Sequence, residues 1–250
     1  MDPFGPPEIM AVAMARLLRD GELVFNGVGS ILPMLAIELA RRLYAPNLVY
    51  LNIGGGIDAR PETLPLSSTD PSLLAGTAGI VDQPEFYQLV MRGGVDVMFL
   101  GAVQIDPAGR INSSVIGNLS RPTVRLPGGG GAAVILPTAR RVILWRTKHD
   151  RRTFVEKLDF VTAAGNVDRV VTPLCVMRYQ EPPTGASSGG FGRPIVESLH
   201  PGVTAEAVQA NTGFPLPIPP GCPQTPPPTA EELAVIREFD PKNHRSLDFQ

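Results

Sequence analysis

The chain has 250 residues, of which 43% are hydrophobic and 18% are charged, and its formal net charge is -2. This length and apolar content suffice for one large α/β domain, which we favour over two small ones. Because there is no basic surplus to neutralise phosphates, we expect no nucleic-acid partner.

Cysteine content and the first residues indicate the compartment. The two cysteines, Cys175 and Cys222, are far apart and lack metal-ligand spacing, so the sequence predicts neither a disulfide framework nor a metal site. The N-terminal MDPFGPPEIM lacks the basic and apolar regions of a signal peptide, and no apolar run reaches the length of a membrane span. We therefore expect a soluble, cytoplasmic protein without a membrane partner.

The first half of the chain alternates predicted helices and strands. Helical spacing of apolar residues predicts an amphipathic helix over 8–21 that ends at Gly21. A short apolar strand that runs into a glycine turn follows at 22–30, and then a helix at 32–46, a strand at 47–53, a helix at 83–94 and an apolar strand at 95–106. Strands without polar alternation are buried on both faces.

The second half is predicted to hold four more strands, at 132–137, 140–147, 157–165 and 169–179, and two helices, at 204–213 and 229–240. This alternation predicts an α/β fold with an open, largely parallel sheet and helices on both faces. We treat residues 1–250 as a single domain in which a proline-rich connector, 215–228, leads to the last helix. A ligand for a proline-recognition module is the alternative function of that connector.

Three glycine-rich turns lie where chemistry is expected, because open α/β sheets bind ligands outside the carboxyl ends of their strands. They are FNGVGSILP at 25–33, NIGGGID at 52–58 and RLPGGGGAAVI at 125–135. Each could direct backbone N–H groups at an anion or a developing oxyanion, or admit close approach of another group; the alternative is an ordinary tight turn or flexible loop. None matches a dinucleotide or P-loop motif. Three such turns in one chain suggest a shared pocket.

Other polar residues admit two interpretations each. Gln104 and Asn112 flank the turn DPAG, and their amides could bind a carbonyl or carboxylate or merely tie loops together. His149 beside Asp150 suggests acid–base chemistry, although the dense charge around it favours a solvated or partner-facing turn. His200 and His244 are predicted to be surface residues, and Cys175 to be core. Residues 187–194 are predicted to form either a lid over the pocket or a plain surface loop.

Several segments together resemble the β-type subunit of class I coenzyme A transferases, a family that includes glutaconate CoA-transferase. They are NGVGSILP, RLYAPNLVY, GAVQIDPAGRINSSVIG, RPTVRLPGGGGA, KHDRRTFVEKLDFVT and ANTGF, in collinear order along nearly the whole chain. The resemblance implies the family's open α/β fold and an α-type partner in a heterodimer or heterotetramer. It also implies an interface site for acyl-CoA, a carboxylate acceptor where CoA is transferred, and no permanently bound cofactor, since coenzyme A arrives as part of the substrate.

The resemblance also implies roles for individual residues. The family's nucleophilic glutamate, which attacks the thioester, falls on Ile53, whose aliphatic side chain cannot attack. Asp58 and Glu62 are nearby carboxylates that could replace it, unless Asp58 is a capping residue and Glu62 is solvated. The backbone oxyanion donors map to Val28, Gly29, Gly130 and Gly131. Substrate-binding positions map to Gly27, Ser30, Gly54, Gly55, Gln104, Asn112, Gly128, Gly129 and Ala132.

Two classes of function follow. In the first, the chain is the β-type subunit of a heteromeric enzyme that either transfers CoA between carboxylic acids or, because the glutamate is missing, hydrolyses, decarboxylates or cleaves a ring in an acyl-CoA. In the second, it is a catalytically silent scaffold for an active α-type partner. Intact glycine turns favour the first class, since glycine runs weaken a fold that has no use for them.

Overall fold

The computed structural model describes residues 4–180 and 192–249. Most of the segment predicted as a lid or surface loop, 187–194, lies outside the described residues. The chain divides into a first compact unit, formed by the chain up to Leu100 and from Pro226 onward, and a second compact unit, Gly101–Thr225. The first unit is therefore built from two stretches of chain and the second from one.

The helices and strands have the following bounds. The helices are α1 (Pro6–Ala15), α2 (Ile31–Leu43), α3 (Gln83–Met91), α4 (Ala132–Thr138), α5 (Ala205–Ala210) and α6 (Ala230–Phe239), with short 3-10 helices at Pro71–Leu74 and His244–Phe249. The strands are β1 (Leu23–Asn26), β2 (Val49–Leu51), β3 (Gly56–Ile57), β4 (Gly79–Ile80), β5 (Val97–Gly101), β6 (Gln104–Ile105), β7 (Ile111–Asn112), β8 (Val115–Asn118), β9 (Arg121–Arg125), β10 (Arg141–Trp145), β11 (Val167–Val171), β12 (Cys175–Gln180) and β13 (Arg193–Leu199).

The first unit is organised around β1. The strand order is β5-β1-β2-β3-β4, in which β5, β1 and β2 are parallel and the two short strands β3 and β4 are antiparallel. Phe25 on β1 pairs with Leu51 on one side and Met98 on the other. The chain leaves β1 towards β2 and returns to its other side at β5, so the strand order reverses at β1, and this reversal is where open α/β sheets form binding crevices.

The second unit has the order β10-β11-β12-β13, with β10 and β11 parallel and the remaining pairs antiparallel. Two small hairpins, β6-β7 and β8-β9, complete it. Apolar strands such as β10 are buried along nearly their whole length, as expected for parallel strands. The predicted α/β class is confirmed, although antiparallel strands extend the parallel pairs of each unit.

Helix α6 joins the two stretches of the first unit through a buried carboxylate. Glu232 is 3% exposed, and it accepts hydrogen bonds from Arg16 Nε at 2.8 Å and from the Tyr44 hydroxyl at 2.7 Å. Such a buried charge is tolerated only where partners replace its lost hydration. Glu232 therefore fixes α6 against the loop after α1 and the end of α2.

The proline-rich segment before α6 contains no helix or strand over 215–228. Its part in the second unit runs beside β13. Val196 N–H donates to the Pro217 carbonyl at 3.0 Å, and Leu199 N–H donates to the Pro223 carbonyl at 3.0 Å. Because proline has no N–H to donate, the segment contributes carbonyl acceptors to these contacts.

Two predicted elements have different bounds. Helix α1 ends at Ala15 rather than at Gly21. It is also buried all round from Ile9 to Ala15 instead of amphipathic, because it packs against α2 and α6. The strand predicted over 169–179 is two strands, β11 and β12, separated by a turn in which Thr172 N–H donates to the Cys175 carbonyl at 3.1 Å.

Two other predicted strands are wrong. Residues 132–137 belong to helix α4, since a short apolar run fits a strand and a buried helix equally well. Residues 157–165 form no strand and contribute only an isolated bridge between Ala163 and Ile111. Among the described residues, no helix has the length and apolarity needed to cross a membrane.

Candidate functional site

The turn Gly27–Ser30 follows the carboxyl end of β1, where the strand order of the first unit reverses. The Gly27 N–H donates to the Phe99 carbonyl of β5 at 3.2 Å, which fixes the start of the turn. Ser30 is the N-cap residue of α2, and its side chain is buried without a capping hydrogen bond. The turn therefore places backbone N–H groups at the edge where ligands of α/β folds bind.

The two predicted oxyanion donors of this turn differ. The Val28 amide donates to no acceptor in the described part of the chain, and the Val28 side chain is 74% exposed. The Gly29 amide donates to the hydroxyl oxygen of Ser68 at 2.9 Å. Gly29 has φ of +67°, a left-handed conformation that other residues rarely adopt. Of these two predicted donors, only the Val28 amide lacks an acceptor among the described residues.

Ile53 lies in a tight turn between β2 and β3. The Gly55 N–H donates to the Asn52 carbonyl at 2.9 Å, and Gln83 Nε2 donates to the Ile53 carbonyl at 3.3 Å. Ile53 is half-buried and Gly54 is exposed. A residue at position 53 therefore projects from a turn whose backbone is held on both sides.

The glycines after Ile53 admit other parts of the same chain. A Cβ on Gly55 would lie 2.1 Å from the Val81 carbonyl oxygen, and the Gly55 φ is +87°. A Cβ on Gly56 would lie 2.8 Å from the Leu73 carbonyl oxygen and 2.8 Å from the side-chain nitrogen Nδ2 of Asn52. Close approach of the protein's own backbone accounts for these two glycines, whereas Gly54 has no such backbone neighbour.

The two nearby carboxylates do not replace the missing nucleophile. Asp58 accepts a hydrogen bond from the Tyr50 N–H at 3.0 Å and lies 3.9 Å from the Arg41 guanidinium. Glu62 is exposed. Asp58 is therefore hydrogen-bonded to the middle of β2 and Glu62 is solvated, and neither occupies the position of Ile53.

The four-glycine turn, in the second unit, leads into α4 rather than into the predicted strand. The Gly128 N–H donates to the Ser113 carbonyl at 2.8 Å, and the Ala132 N–H donates to the Gly129 carbonyl at 2.8 Å. Between them, the amides of Gly129, Gly130 and Gly131 donate to no acceptor among the described residues. Both predicted donors of this turn, Gly130 and Gly131, are therefore unpaired within the part of the chain that the structure describes.

Gln104 and Asn112 use their amides within the second unit. They face each other across β6-β7, where Asn112 Nδ2 donates to Gln104 Oε1 at 2.7 Å and to the Val115 carbonyl at 2.6 Å. Gln104 Nε2 donates to Asp159 at 3.2 Å. Both side chains are buried. This geometry favours the alternative in which the amides tie loops together over direct binding of a substrate.

Sequence reasoning missed a polar layer at the ends of β1 and β2. Asn26 is fully buried, and its Oδ1 accepts a hydrogen bond from the Tyr50 hydroxyl at 2.6 Å. Burial raises the pKa of Tyr50, so the phenol remains a neutral donor. The sequence feature that could have predicted this layer is an asparagine at the end of each apolar strand, in VFNG and YLNI. The glycines that follow drew the prediction to the turns instead. Ser68 carried no local signal, because it lies 39 positions from Gly29.

Two histidines predicted to be exposed are buried. His149 is 8% exposed, with Nδ1 at 2.9 Å from the Thr172 hydroxyl and Nε2 at 3.0 Å from the Thr212 hydroxyl. His200 is 2% exposed, and its Nε2 donates to the Thr172 carbonyl at 2.8 Å. The prediction of a surface His200 is therefore wrong, and so is the solvated alternative of the solvated or partner-facing turn predicted at His149, because neighbouring threonines satisfy both rings inside the second unit. Cys175 is buried, as predicted.

Acid is expected to destabilise the fold through these histidines. Desolvation lowers the pKa of His149 and of His200 from 6.5 to about 4. Each histidine has a lower pKa in the folded chain than in the unfolded chain, so protonation favours unfolding. The free energy of unfolding is therefore highest above pH 6.5, and it decreases by about 3 kcal/mol for each histidine as the pH falls to 4. Urea unfolding between about pH 7 and about pH 4 measures this loss. In His149→Gln, which keeps hydrogen-bonding groups but cannot titrate, the loss should be roughly halved; an unchanged pH dependence would contradict the assignment.

In the described ranges 4–180 and 192–249, no three His, Cys, Asp or Glu side chains form a cluster able to hold a metal ion. The predicted positions divide between the units. Those in the first unit are Gly27, Val28, Gly29, Ser30, Ile53, Gly54 and Gly55, and those in the second are Gln104, Asn112, Gly128, Gly129, Gly130, Gly131 and Ala132. The chemistry available is hydrogen-bond donation from unpaired amides, without a side-chain nucleophile at position 53.

Comparison with known proteins gives consistent matches. A family model described as coenzyme A transferase matches residues 8–211. The chain is 38% identical to the B-type subunit of 3-oxoadipate CoA-transferase from Pseudomonas knackmussii, with 96% of this chain and 95% of that protein covered. It is 27% identical to the B-type subunit of glutaconate CoA-transferase from Acidaminococcus fermentans, with 94% and 92% covered. A chain in the crystal structure of the decarboxylase AibA/AibB is 31% identical, with a TM-score of 0.87 and 96% and 97% covered.

Proposed function

Because this chain belongs to the coenzyme A transferase family, we propose that it is the β-type subunit of a heteromeric enzyme that polarises the thioester carbonyl of an acyl-CoA. The resemblance to the family predicted from sequence is confirmed by the family match. The partner in this proposal is an α-type subunit, in a heterodimer or heterotetramer. Coenzyme A enters as part of the substrate, no cofactor is permanently bound, and the enzyme works in the cytoplasm.

One observation decides which reaction we favour: position 53 holds a half-buried isoleucine where the family's nucleophile is expected. Since Asp58 is hydrogen-bonded to Tyr50 of β2 and Glu62 is solvated, neither of these carboxylates takes its place. We therefore favour reactions that need a polarised thioester but no glutamyl-CoA intermediate on this chain. Decarboxylation, hydrolysis and ring cleavage of an acyl-CoA all develop negative charge at or next to the carbonyl.

The unpaired amides support a catalytic role over a silent scaffold. Val28 in one turn and Gly130 and Gly131 in another keep N–H groups without internal acceptors among the described residues. Donors placed where charge develops in a transition state lower the barrier without reorganisation. A scaffold would gain nothing from leaving them unpaired.

CoA transfer is the second candidate function. It is favoured by the similarity to a relative whose name is that of a CoA-transferase. The 3-oxoadipate CoA-transferase chain is 38% identical to this one. If transfer does occur here, the attacking carboxylate has to come from the partner or from the acceptor acid. In that case no covalent adduct would form on this chain.

The test uses the chain co-expressed with its α-type partner. The purified pair is incubated with a panel of acyl-CoAs, with and without acetate, and CO2, free CoA and acyl exchange are followed. We expect turnover without acceptor and no borohydride-reducible adduct on this chain. Turnover only with acceptor would favour transfer, and absence of turnover across the panel would favour the scaffold.

A further inference from the structure

The Val28 amide lies between two anchored peptide groups. On one side, the Gly27 N–H donates to the Phe99 carbonyl at 3.2 Å; on the other, the Gly29 N–H donates to the Ser68 hydroxyl oxygen at 2.9 Å. The intervening Val28 amide has no acceptor among the described residues. Its direction is therefore set by its two neighbours.

Ser68 is built into the first unit as a fixed acceptor. It is 2% exposed, although Gly29, whose amide it accepts, is exposed. The segment that carries Ser68 is held on both sides, since the Leu64 N–H donates to the Phe239 carbonyl at 2.7 Å and the Leu73 carbonyl accepts from Asn52 Nδ2 at 2.7 Å. A buried hydroxyl on a fixed loop holds its partner more precisely than water would.

The surroundings of Ser68 exclude a nucleophilic role. Within the described residues its only hydrogen bond is the one accepted from Gly29, so no histidine or carboxylate contacts the hydroxyl to remove its proton. An unactivated serine is a weak nucleophile. The hydroxyl is therefore placed to hold the Gly29 amide and not to attack a substrate.

We propose that Ser68 is a positioning residue: by holding the Gly29 amide, it orients the turn so that the Val28 amide points at the acyl carbonyl. This inference rests on the proposed function. Misplacing a donor by about 1 Å costs on the order of 100-fold in rate, so the contact matters for catalysis well beyond its contribution to folding. Its contribution to stability is small, since water can replace the hydroxyl at the exposed Gly29.

The experiment compares Ser68→Ala with Ser68→Thr and with Ser67→Ala in the assembled enzyme. Ser67 is the matched control, because it is an exposed neighbour whose hydroxyl, among the described residues, contacts only its own loop, at Thr69. We expect Ser68→Ala to lower kcat by roughly 10- to 100-fold, with KM changed by less than about twofold. Ser68→Thr should keep kcat within about threefold of the native value, since it retains the hydroxyl. If the added methyl prevents folding, Ser68→Cys, a weaker acceptor, should give an intermediate kcat.

A second measurement does not depend on turnover. Amide hydrogen exchange should show Gly29 protected in the native chain and unprotected in Ser68→Ala, with Val28 exchanging fast in both. An unprotected native Gly29 would refute the contact and the proposal with it. Native kcat in a folded Ser68→Ala enzyme, or a raised kcat, would also overturn the positioning role. A native pair that turns over no acyl-CoA while Gly29 is protected would instead refute the proposed function.

Discussion

Replacing Ile53 with glutamate is expected to give the assembled enzyme a CoA-transfer activity that depends on a carboxylate acceptor. The new carboxylate would attack the thioester carbonyl, expel CoA as thiolate and form a mixed anhydride. CoA would then attack the glutamyl carbonyl of that anhydride, which releases the free acid and leaves a glutamyl-CoA thioester. Because position 53 is only half-buried, a glutamate side chain can extend towards solvent there. The hydrogen bond from Gln83 to the carbonyl of residue 53 does not involve the side chain and should persist.

Two measurements check this result. Acyl exchange between an acyl-CoA and acetate should appear in Ile53→Glu, and borohydride should reduce the glutamyl thioester to a product located by peptide mass spectrometry. Ile53→Gln is the matched control, since it has nearly the same shape but no nucleophile. An adduct on the native chain would show that another residue does the work assigned to glutamate, and absence of exchange in Ile53→Glu would show that position 53 does not face the thioester.

The second large effect concerns folding. Gly55→Ala should destabilise the chain by about 3 kcal/mol or more, because its Cβ would lie 2.1 Å from the Val81 carbonyl oxygen. Strain at its φ of +87° adds to that clash. Urea unfolding of the native chain and the variant measures the difference.

Gly21→Ala provides the comparison for Gly55→Ala. Gly21 has φ of +78°, but no atom of the described residues lies within 4 Å of a Cβ at that position. Its substitution should therefore cost only the conformational strain, about 1 kcal/mol. Equal losses in the two variants would mean that backbone conformation, and not the approach of Val81, explains the glycine at 55.

Much of the fold could be predicted because apolar runs and breakers are local signals. The helix that begins after the first glycine turn and the helix predicted at 83–94 are present as α2 and α3, and the last predicted helix is α6. The strand predicted at 132–137 was wrong because six apolar residues fit either a strand or a helix, and only tertiary packing decides between them. The region 157–165 failed because its apolar residues serve a loop held by isolated contacts.

The candidate site was predictable to a lesser degree. The glycine turns were visible, but the sequence could not separate Gly54 from Gly55, since a close approach by Val81 depends on a pairing between distant strands. Burial of His149 was equally hidden, because the threonines that satisfy its ring lie 23 and 63 positions away. The charged residues next to His149 predicted an exposed side chain, but hydrogen bonds to these distant threonines bury it.

The two-stretch construction of the first unit bears on how the polypeptide emerges from the ribosome. Arg16 is translated 216 positions before its partner Glu232. The second unit is one continuous stretch, and every residue it needs is translated before α6 exists. The first unit is thus completed only after the second unit has been translated, and the α1 and α2 surfaces that pack against α6 stay uncovered until α6 has been made.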